Sequence, residues 1–475
     1  MAEHQDETAE RADRDANRDA AREGDEDFAL DRRTVEAIVA AIEAGDAAEI
    51  DWLMEPLHPA DIADLMEQIG QGDRTRLLAL WSRGIDGDIL TELHESIREE
   101  VIDALPPDVL TEAVRDLDSD DVVDLIEDLD EPQQEKILEA LPDADRVAAE
   151  QSLTYPEYSA GRLMQREIVT APEDWTVGQA IDYLRGAKEL PDQFYHVILV
   201  DPRRHPVGYV TLGKLLSSKR ATALMDITED SFRPISVLDE EGDVAYAFNQ
   251  YHLISAPVVD EDDRLVGVIT IDDAMAVLDE EHEEDVLRLA GVSGESSIAD
   301  GVIETVRQRT PWLIVNLATA ILASAVIGEF SASIQAIVAL ATLMPIVASM
   351  GGNAGTQVLT VAVRALATRD LTGSNTRRII GRELMVGLLN GLIFAVIMGV
   401  ATWLWFGQPM LALVMAAALI VNLLAAALAG ILIPLGLQFM RLDPALSSGT
   451  FVTTVTDVVG FLSFLGFATL VLLRH

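Results

Sequence analysis

The C-terminal part of the chain is almost free of charge, and this feature constrains the fold more than any other. Residues 301–475 contain 6 acidic and 9 basic residues and are dominated by Ala, Leu, Val, Ile and Gly. A bilayer core ~30 Å thick needs about 20 apolar residues per helix. Five segments approach or exceed this length, namely Trp312–Ile327 with its flanks, Ile334–Val363, Leu384–Phe406, Met410–Met440 and Phe451–Leu473. The sequence therefore predicts a five-helix transmembrane domain over residues 310–475.

Basic residues between these segments predict their orientation, because Lys and Arg stay on the cytoplasmic side of a membrane. Eight arginines flank segment ends that this rule assigns to one side: Arg307, Arg309, Arg364, Arg369, Arg377, Arg378, Arg382 and Arg441. The opposite loops contain no Lys or Arg, and Arg474 is the exception. We expect a multi-pass protein of the plasma (inner) membrane, with a cytoplasmic N-terminus and an outer C-terminus.

The preceding residues are strongly acidic. Residues 1–300 hold 74 acidic and 25 basic residues, a net −49, and with +3 from residues 301–475 this gives the −46 of the chain. Such an acidic composition leaves no basic surface that could contact the phosphates of a nucleic acid, so we exclude a nucleic-acid partner. The chain has no cysteine, and therefore no disulfide framework, thiolate metal site or Cys nucleophile. The first residues lack a basic start and an apolar stretch, so we expect no signal peptide. An acidic part joined to an apolar part argues against a soluble single-domain enzyme.

The acidic part changes its pattern along the chain. Residues 1–31 are polar without an apolar period, which predicts a disordered acidic leader. Over residues 32–153, leucines and isoleucines recur at steps of three and four between short turns, as at Leu105-Pro106-Pro107. This pattern predicts a stack of short helices, which is an all-α superhelical N domain.

Apolar runs of strand length appear next, and an internal repeat relates them. The runs are His196–Val200, Val207–Thr211, Ala256–Val259 and Val266–Thr270, and the second pair follows the first at an offset of 59. A helical pattern follows each pair, which predicts two β–β–α units.

These residues resemble tandem cystathionine-β-synthase-type (CBS) domains, an α/β fold, over residues 154–222 and 223–280. The closing pattern of that family is Gly-x-x-Thr-x-x-Asp, and Gly267, Thr270 and Asp273 match it in the second copy. The first copy has Lys214 in place of the acid.

Asp457 is the one ionisable residue deep in a predicted span. An unpaired carboxylate at mid-span costs ~2.5–3.5 kcal/mol on insertion scales, and intramembrane acids usually mark ion pathways. We therefore predict that Asp457 lies on an ion pathway. The alternative is a carboxylate that braces a neighbouring helix.

The glycine-rich run Gly351-Gly352-Asn353-Ala354-Gly355 follows Pro345 in the second segment. Three glycines in five residues predict a helix that is broken inside the membrane, where irregular backbone must line a watery cavity or be buried in protein. The alternative is that the glycines serve helix packing. Carboxylate, amide and carbonyl oxygens together suit a hard divalent cation such as Mg²⁺.

The order of segments resembles the MgtE family of magnesium channels and transporters over about residues 32–475. The motifs that carry the resemblance are Tyr155-Pro156-Glu157, Ser159-Ala160-Gly161-Arg162-Leu163-Met164, Gly351–Gly355, Arg364–Ala367, Asp443–Leu446 and Thr456-Asp457. The resemblance implies a homodimer in membrane lipid, with a pore on its two-fold axis. Asp457 of each subunit would hold hydrated Mg²⁺ there, with Asn353 near the ion. It also implies a linking (plug) helix over residues 281–309 that closes the pore.

Acidic clusters in the soluble part suggest regulation, because like charges brought together cost energy unless cations bridge them. Six of the seven residues from Asp279 to Asp285 are acidic. The resemblance implies that cytosolic Mg²⁺ closes the pore by binding such acids. Positions that match regulatory sites of the family are Asp121, Asp124, Asp273, Glu281, Glu284, Asp285 and Asp443. A solvated charged face is the alternative.

CBS pairs commonly bind adenine nucleotides, and some members of this family bind ATP. Lys214 in place of the expected acid argues against ATP in the first copy. We expect Mg²⁺ to be both the transported substrate and the regulator. The alternatives are transport of another divalent cation such as Co²⁺, a CBS-gated anion channel, and a membrane-anchored Mg²⁺ sensor that conducts nothing. Without basic residues deep in the spans an anion channel is disfavoured, and five spans exceed what an anchor needs.

Overall fold

The structure, a computed structural model, describes residues 30–115, 117–127, 129–187, 190–191, 193–294, 296, 301–371, 373–446 and 448–472. Nearly all of the predicted leader lies outside these residues. Contacts divide the chain into two compact units with the boundary after Asp279.

Short helices form the first part of the N-terminal unit, as the leucine spacing predicts. In the described residues up to Ser152 they are α1 Arg32–Ala44, α2 Ala47–Met54, α3 Pro59–Gln68, α4 Gln71–Trp81, α5 Gly87–Glu92, α6 Glu95–Ala104, α7 Pro107–Arg115, α8 Ser119–Glu127, α9 Glu131–Ala140 and α10 Asp143–Ser152. Their apolar faces share one core that includes Leu65, Leu90 and Ile126. Several of the acids cap these helices, since the Asp46 and Asp130 carboxylates accept hydrogen bonds from the N–H groups of Glu49 and Gln133.

Two small mixed sheets follow, and all four predicted strands are present. The first sheet consists of β1 Thr170–Pro172, β2 His196–Val200 and β3 Pro206–Thr211, and the second of β4 Ile235–Ser236, β5 Ser255–Val259 and β6 Leu265–Thr270. In each sheet the first pair of strands is parallel and the second is antiparallel. The helices of this region are α11 Ala160–Leu163, α12 Val177–Gly186, α13 Leu212–Ser217, α14 Glu241–Tyr251 and α15 Ile271–Leu289.

The predicted β–β–α units are incomplete, because the two opening strands were missed. Strand β1 has three residues and β4 has two. Such short strands have no apolar run of their own. Their position is set by parallel pairing with β2 and β5.

The second unit contains the membrane helices. They are α16 Val302–Glu329, the short α17 Ser331–Ala336, α18 Ala339–Ala367, α19 Thr376–Phe406, α20 Pro409–Phe439 and α21 Ser448–Leu472. Five of these, all but α17, are long and apolar enough to cross a membrane in the described part of the chain. The five predicted spans are thereby confirmed.

The predicted linking helix over residues 281–309 does not run as one continuous helix through the described residues. Residues 281–289 continue α15, which begins at Ile271, and α16 begins at Val302. The helix ends because Gly291 adopts a left-handed conformation with φ +76° and its N–H bonds to the Arg288 carbonyl. Glycine takes this conformation without steric cost, and it commonly ends helices.

The predicted break at Gly351-Gly352-Asn353 is wrong, since α18 is a continuous helix from Ala339 to Ala367. A Cβ on Gly351 would lie 2.2 Å from the Asn422 amide, and one on Gly355 would lie 2.5 Å from Val452. These glycines therefore let neighbouring helices approach closely, which is the packing alternative.

Candidate ion pathway and acidic clusters

Asp457 lies in the middle part of α21 and is half-buried. Among the described residues, none donates a hydrogen bond to its carboxylate. The threonines before it bond to carbonyls of their own helix, since Thr453 Oγ1 donates to Gly449 and Thr456 Oγ1 donates to Thr453. The alternative that Asp457 braces a neighbouring helix would need a residue that bonds to its carboxylate, and the described part of the chain provides none.

Asn353 lies on the exposed side of α18, and this helix packs against α21. A Cβ on Gly352 would lie 3.8 Å from Thr453, and one on Gly355 would lie 3.5 Å from Thr456. Asn353 directly follows Gly352, and Asp457 directly follows Thr456. The two predicted pathway residues therefore sit at the same level of two packed helices, although no hydrogen bond between described atoms joins them.

A first acidic cluster lies within the N-terminal unit. Burial, together with the charges of Asp273 and Asp118, raises the pKa of Asp121 to about 7. Burial likewise raises the pKa of Asp273 to about 6, against hydrogen bonds from Thr270 that lower it. Asp120, which was not among the predicted ligands, is buried, and its pKa is raised well above the usual range by burial and by Asp273. These carboxylates are close enough to repel one another.

Asp124 differs from its neighbours because an arginine pairs with it. The Arg98 guanidinium lies 3.2 Å from its carboxylate and also donates to the Leu93 and Thr91 carbonyls. Arg98 is buried, and its positive charge already compensates the Asp124 carboxylate. A cation bound at Asp124 would therefore add less stabilisation than one bound at Asp121.

Polar contacts hold α8, which carries this cluster, against the segment that leads into the first sheet. Ser119 Oγ donates a 2.8 Å hydrogen bond to Glu167, and Arg162 pairs with Glu127. The Arg166 N–H donates to Ser119 Oγ at 2.8 Å. These contacts keep Asp120 and Asp121 near Asp273 despite their charge.

A second acidic cluster lies in the membrane unit. Burial, together with the charges of Asp443 and Glu281, raises the pKa of Asp285 to about 6. Arg288 bridges two acids of this cluster, with Nη2 2.8 Å from Glu284 and Nη1 2.8 Å from Asp443. Arg288 was not predicted as part of this cluster, although its spacing of four from Glu284 on a helix is a signal for an ion pair.

Neither cluster is a formed metal centre. No group of three or more His, Asp or Glu in the described residues is arranged to hold a metal ion. The acids gather in two places without converging on one point, and the residue-by-residue ligand assignments remain predictions.

A cleft between the two small sheets is lined by Gln165, Phe194, Tyr195, His196, Ser255 and Thr270. His196 Nδ1 hydrogen-bonds to Ser255 Oγ, and the two residues are 59 apart, which is the repeat offset. They are therefore equivalent positions of the two copies. Burial lowers the pKa of His196 to about 4, so it is neutral at pH 7. Lys214 pairs with Glu229 at 3.0 Å.

Comparison with known proteins agrees with this organisation. Residues 57–158 match the model of the MgtE intracellular N domain, residues 160–220 and 231–280 match the CBS domain, and residues 344–467 match MgtE, described as a divalent cation transporter. The magnesium transporter MgtE of Enterococcus faecalis is 32% identical over 67% of this chain and 70% of its own length. That of Thermus thermophilus is 32% identical over 71% and 75%.

A solved structure of the cytosolic domain of the Mg²⁺ channel MgtE in complex with ATP is 26% identical, with a TM-score of 0.47, over 51% of this chain and 99% of that one. Five candidate spans and an intracellular N domain describe a multi-pass membrane protein. With relatives this similar over more than two thirds of their length, the chain belongs to the MgtE family of magnesium transporters and is not an enzyme.

Proposed function

We propose that this protein takes up Mg²⁺ across the plasma membrane as a homodimer, with Asp457 on the permeation path and Asn353 beside it. The observation that carries this proposal is the Asp457 carboxylate in the middle part of α21, which no described residue pairs. Mg²⁺ gives up its water reluctantly, so a few oxygen ligands facing a hydrated ion are sufficient. The magnesium transport named for the relatives supports this substrate.

The test is Mg²⁺ uptake by the full-length protein in liposomes. Asp457→Ala should abolish uptake, and Asp457→Asn should weaken it severely, because the amide keeps the shape but lacks the charge. The matched control is Asn316→Ala, which removes a polar group from α16 that hydrogen-bonds Thr450 of α21. Wild-type uptake by Asp457→Ala would remove this residue from the pathway. Equal uptake of Co²⁺ and Mg²⁺ would favour the alternative of a broader divalent transporter.

We also propose that cytosolic Mg²⁺ closes the channel by bridging the acidic clusters. Burial and the nearby charge of Asp273 raise the pKa of Asp121, and burial and the nearby charge of Asp443 raise the pKa of Asp285. A divalent ion that binds only the compact state stabilises it by RT ln(1 + [L]/Kd) per independent site. Several weak sites acting together then give a steep response.

The second cluster has a direct route to the membrane helices. Leu289, at the end of α15, packs in one apolar cluster with Leu359 of α18 and Val452 of α21. Helix α21 also carries Asp457. A change in the charge around Asp285 can therefore move the end of α15 against the helix on which permeation depends.

Patch recordings with a graded cytosolic Mg²⁺ concentration test this gating. Replacing Glu281, Glu284 and Asp285 with alanine together should shift the concentration that half-closes the channel and leave open-channel current unchanged. The matched control is the triple alanine replacement of Glu131, Glu135 and Glu139, which are exposed on α9. This replacement removes the same amount of charge. Wild-type inhibition in the first variant would show that these acids form only a solvated face.

A further inference from the structure

Asn422 of α20 lies where three membrane helices meet. Its side chain is fully buried, and its Nδ2 donates a 2.8 Å hydrogen bond to the Val347 carbonyl on α18. No described residue donates a hydrogen bond to its Oδ1. A polar group in the hydrocarbon region has no water as an alternative partner, so a buried amide with an open acceptor is costly. An apolar side chain could fill this space without that cost, so packing alone does not explain the presence of the amide.

Two glycines on the neighbouring helices make room for this amide. A Cβ on Gly351 of α18 would lie 2.2 Å from Asn422 Nδ2, and one on Gly460 of α21 would lie 2.8 Å from it. Real Cβ atoms do not come this close. Gly466 of α21 and Gly436 of α20 differ, because a Cβ there would meet nothing within 4 Å. The backbones of α18 and α21 thus approach Asn422 at the two positions that lack side chains.

This contact is about one helical turn from both proposed pathway residues. Asn353 follows Gly351 by two residues, and Asp457 precedes Gly460 by three. Apolar side chains pack without a fixed direction, whereas a hydrogen bond to a backbone carbonyl fixes the rotation and the height of one helix against another. Ion sites need their ligands held within ~0.5 Å, and Mg²⁺ is strict about ligand geometry.

We propose that Asn422 is a positioning residue that sets the separation of Asn353 and Asp457, and through it the discrimination between Mg²⁺ and other divalent cations. This inference rests on the proposed permeation path. Asn422 itself does not contact the ion.

The experiment compares Mg²⁺ and Co²⁺ fluxes through the full-length protein in liposomes over a range of ion concentrations. Asn422→Ala should raise the half-saturating Mg²⁺ concentration about tenfold and lower the Mg²⁺-to-Co²⁺ flux ratio, since the ligand separation is no longer fixed. Asn422→Ser, which keeps a smaller donor, should fall between this variant and the wild type. Gly466→Ala should behave as the wild type.

A double substitution tests the contact itself. Gly351→Ala alone should lose most flux, because its Cβ collides with the amide. In the Asn422→Ala background the same change should cost little, because the Cβ enters the vacated space. Gly460→Ala should show the same pattern and, with Asn422→Ser, decides the question if Asn422→Ala does not fold.

Three results would overturn the inference. Wild-type half-saturation and flux ratio in folded Asn422→Ala would reduce the residue to packing. An equal loss from Gly351→Ala in both backgrounds would show that the amide is not what the glycine accommodates. Asp457→Asn, measured in parallel, separates the two proposals: if it transports as the wild type, the permeation path fails together with this inference. If it is inactive while Asn422→Ala is normal, only this inference fails.

Discussion

The raised pKa of Asp121 makes a quantitative prediction about stability. Its pKa is about 7 in the folded protein against an ordinary value of 3.8, and burial is the main cause. Between these values the folded state binds more protons than the unfolded chain, so protonation stabilises the fold. This stabilisation is complete below pH 3.8 and is lost as the pH rises through about 7. Lowering the pH from about 7.5 to about 5.5 should therefore raise the free energy of unfolding by roughly 2 kcal/mol from this residue alone.

Asp121→Asn removes the charge and keeps the shape. At pH 7.5 and without Mg²⁺ the variant should be more stable than the wild type by roughly 4 kcal/mol, because the neutral amide avoids the whole cost of the shift from 3.8 to about 7, at ~1.36 kcal/mol per pKa unit. Its stability should also change less between the two pH values, with Asp273 and Asp120 supplying what remains. Urea unfolding of the compact N-terminal unit, followed by circular dichroism, measures both quantities.

The control is Asp108→Asn, because Asp108 is an exposed acid on α7 with the same chemistry. It should leave the pH dependence of the wild type intact. Added Mg²⁺ should stabilise the wild type more than Asp121→Asn, since a bridging ion needs the carboxylate. An Asp121→Asn protein that is less stable than the wild type at pH 7.5, with an unchanged pH dependence, would contradict this prediction. It would show that burial and the neighbouring acids do not destabilise the Asp121 carboxylate.

Two further predictions follow from the ion pairs. Arg288→Gln removes the cation that bridges Glu284 and Asp443, so cytosolic Mg²⁺ no longer competes with a guanidinium for these carboxylates. The Mg²⁺ concentration that half-closes the channel should therefore fall in patch recordings. An unchanged or higher concentration would contradict this prediction. ATP should bind weakly or not at all to the first CBS copy, because Lys214 stands where the ribose-binding acid is expected and pairs with Glu229. Calorimetry measures this binding. Tight ATP binding that Lys214→Ala abolishes would contradict the prediction.

The sequence by itself determined the elements with strong periodic or compositional signals. Five apolar segments far longer than a soluble helix predicted the five spans, because the bilayer requires that length. The repeat at an offset of 59 predicted four strands, including His196–Val200, because both copies fill the same kind of core. The short opening strands at Thr170 and Ile235 had no such signal, since pairing alone holds them in place.

Only the tertiary structure decided how the glycines and the charges are used. Gly351 was interpreted as part of a helix break, but the low helix propensity of glycine costs only ~1 kcal/mol, and here Gly351 makes room for Asn422 in a continuous helix. The sequence placed Asp121, Asp124 and Asp285 in acidic runs and Asp443 in a motif without other acids, and it did not show which of them are paired or buried. Folding gave Asp124 the Arg98 counter-charge and gave Asp443 Arg288, while Asp121 and Asp285 were buried beside other acids. Charge is a property of each residue, but its energy depends on distance and burial, and these exist only once the helices have packed.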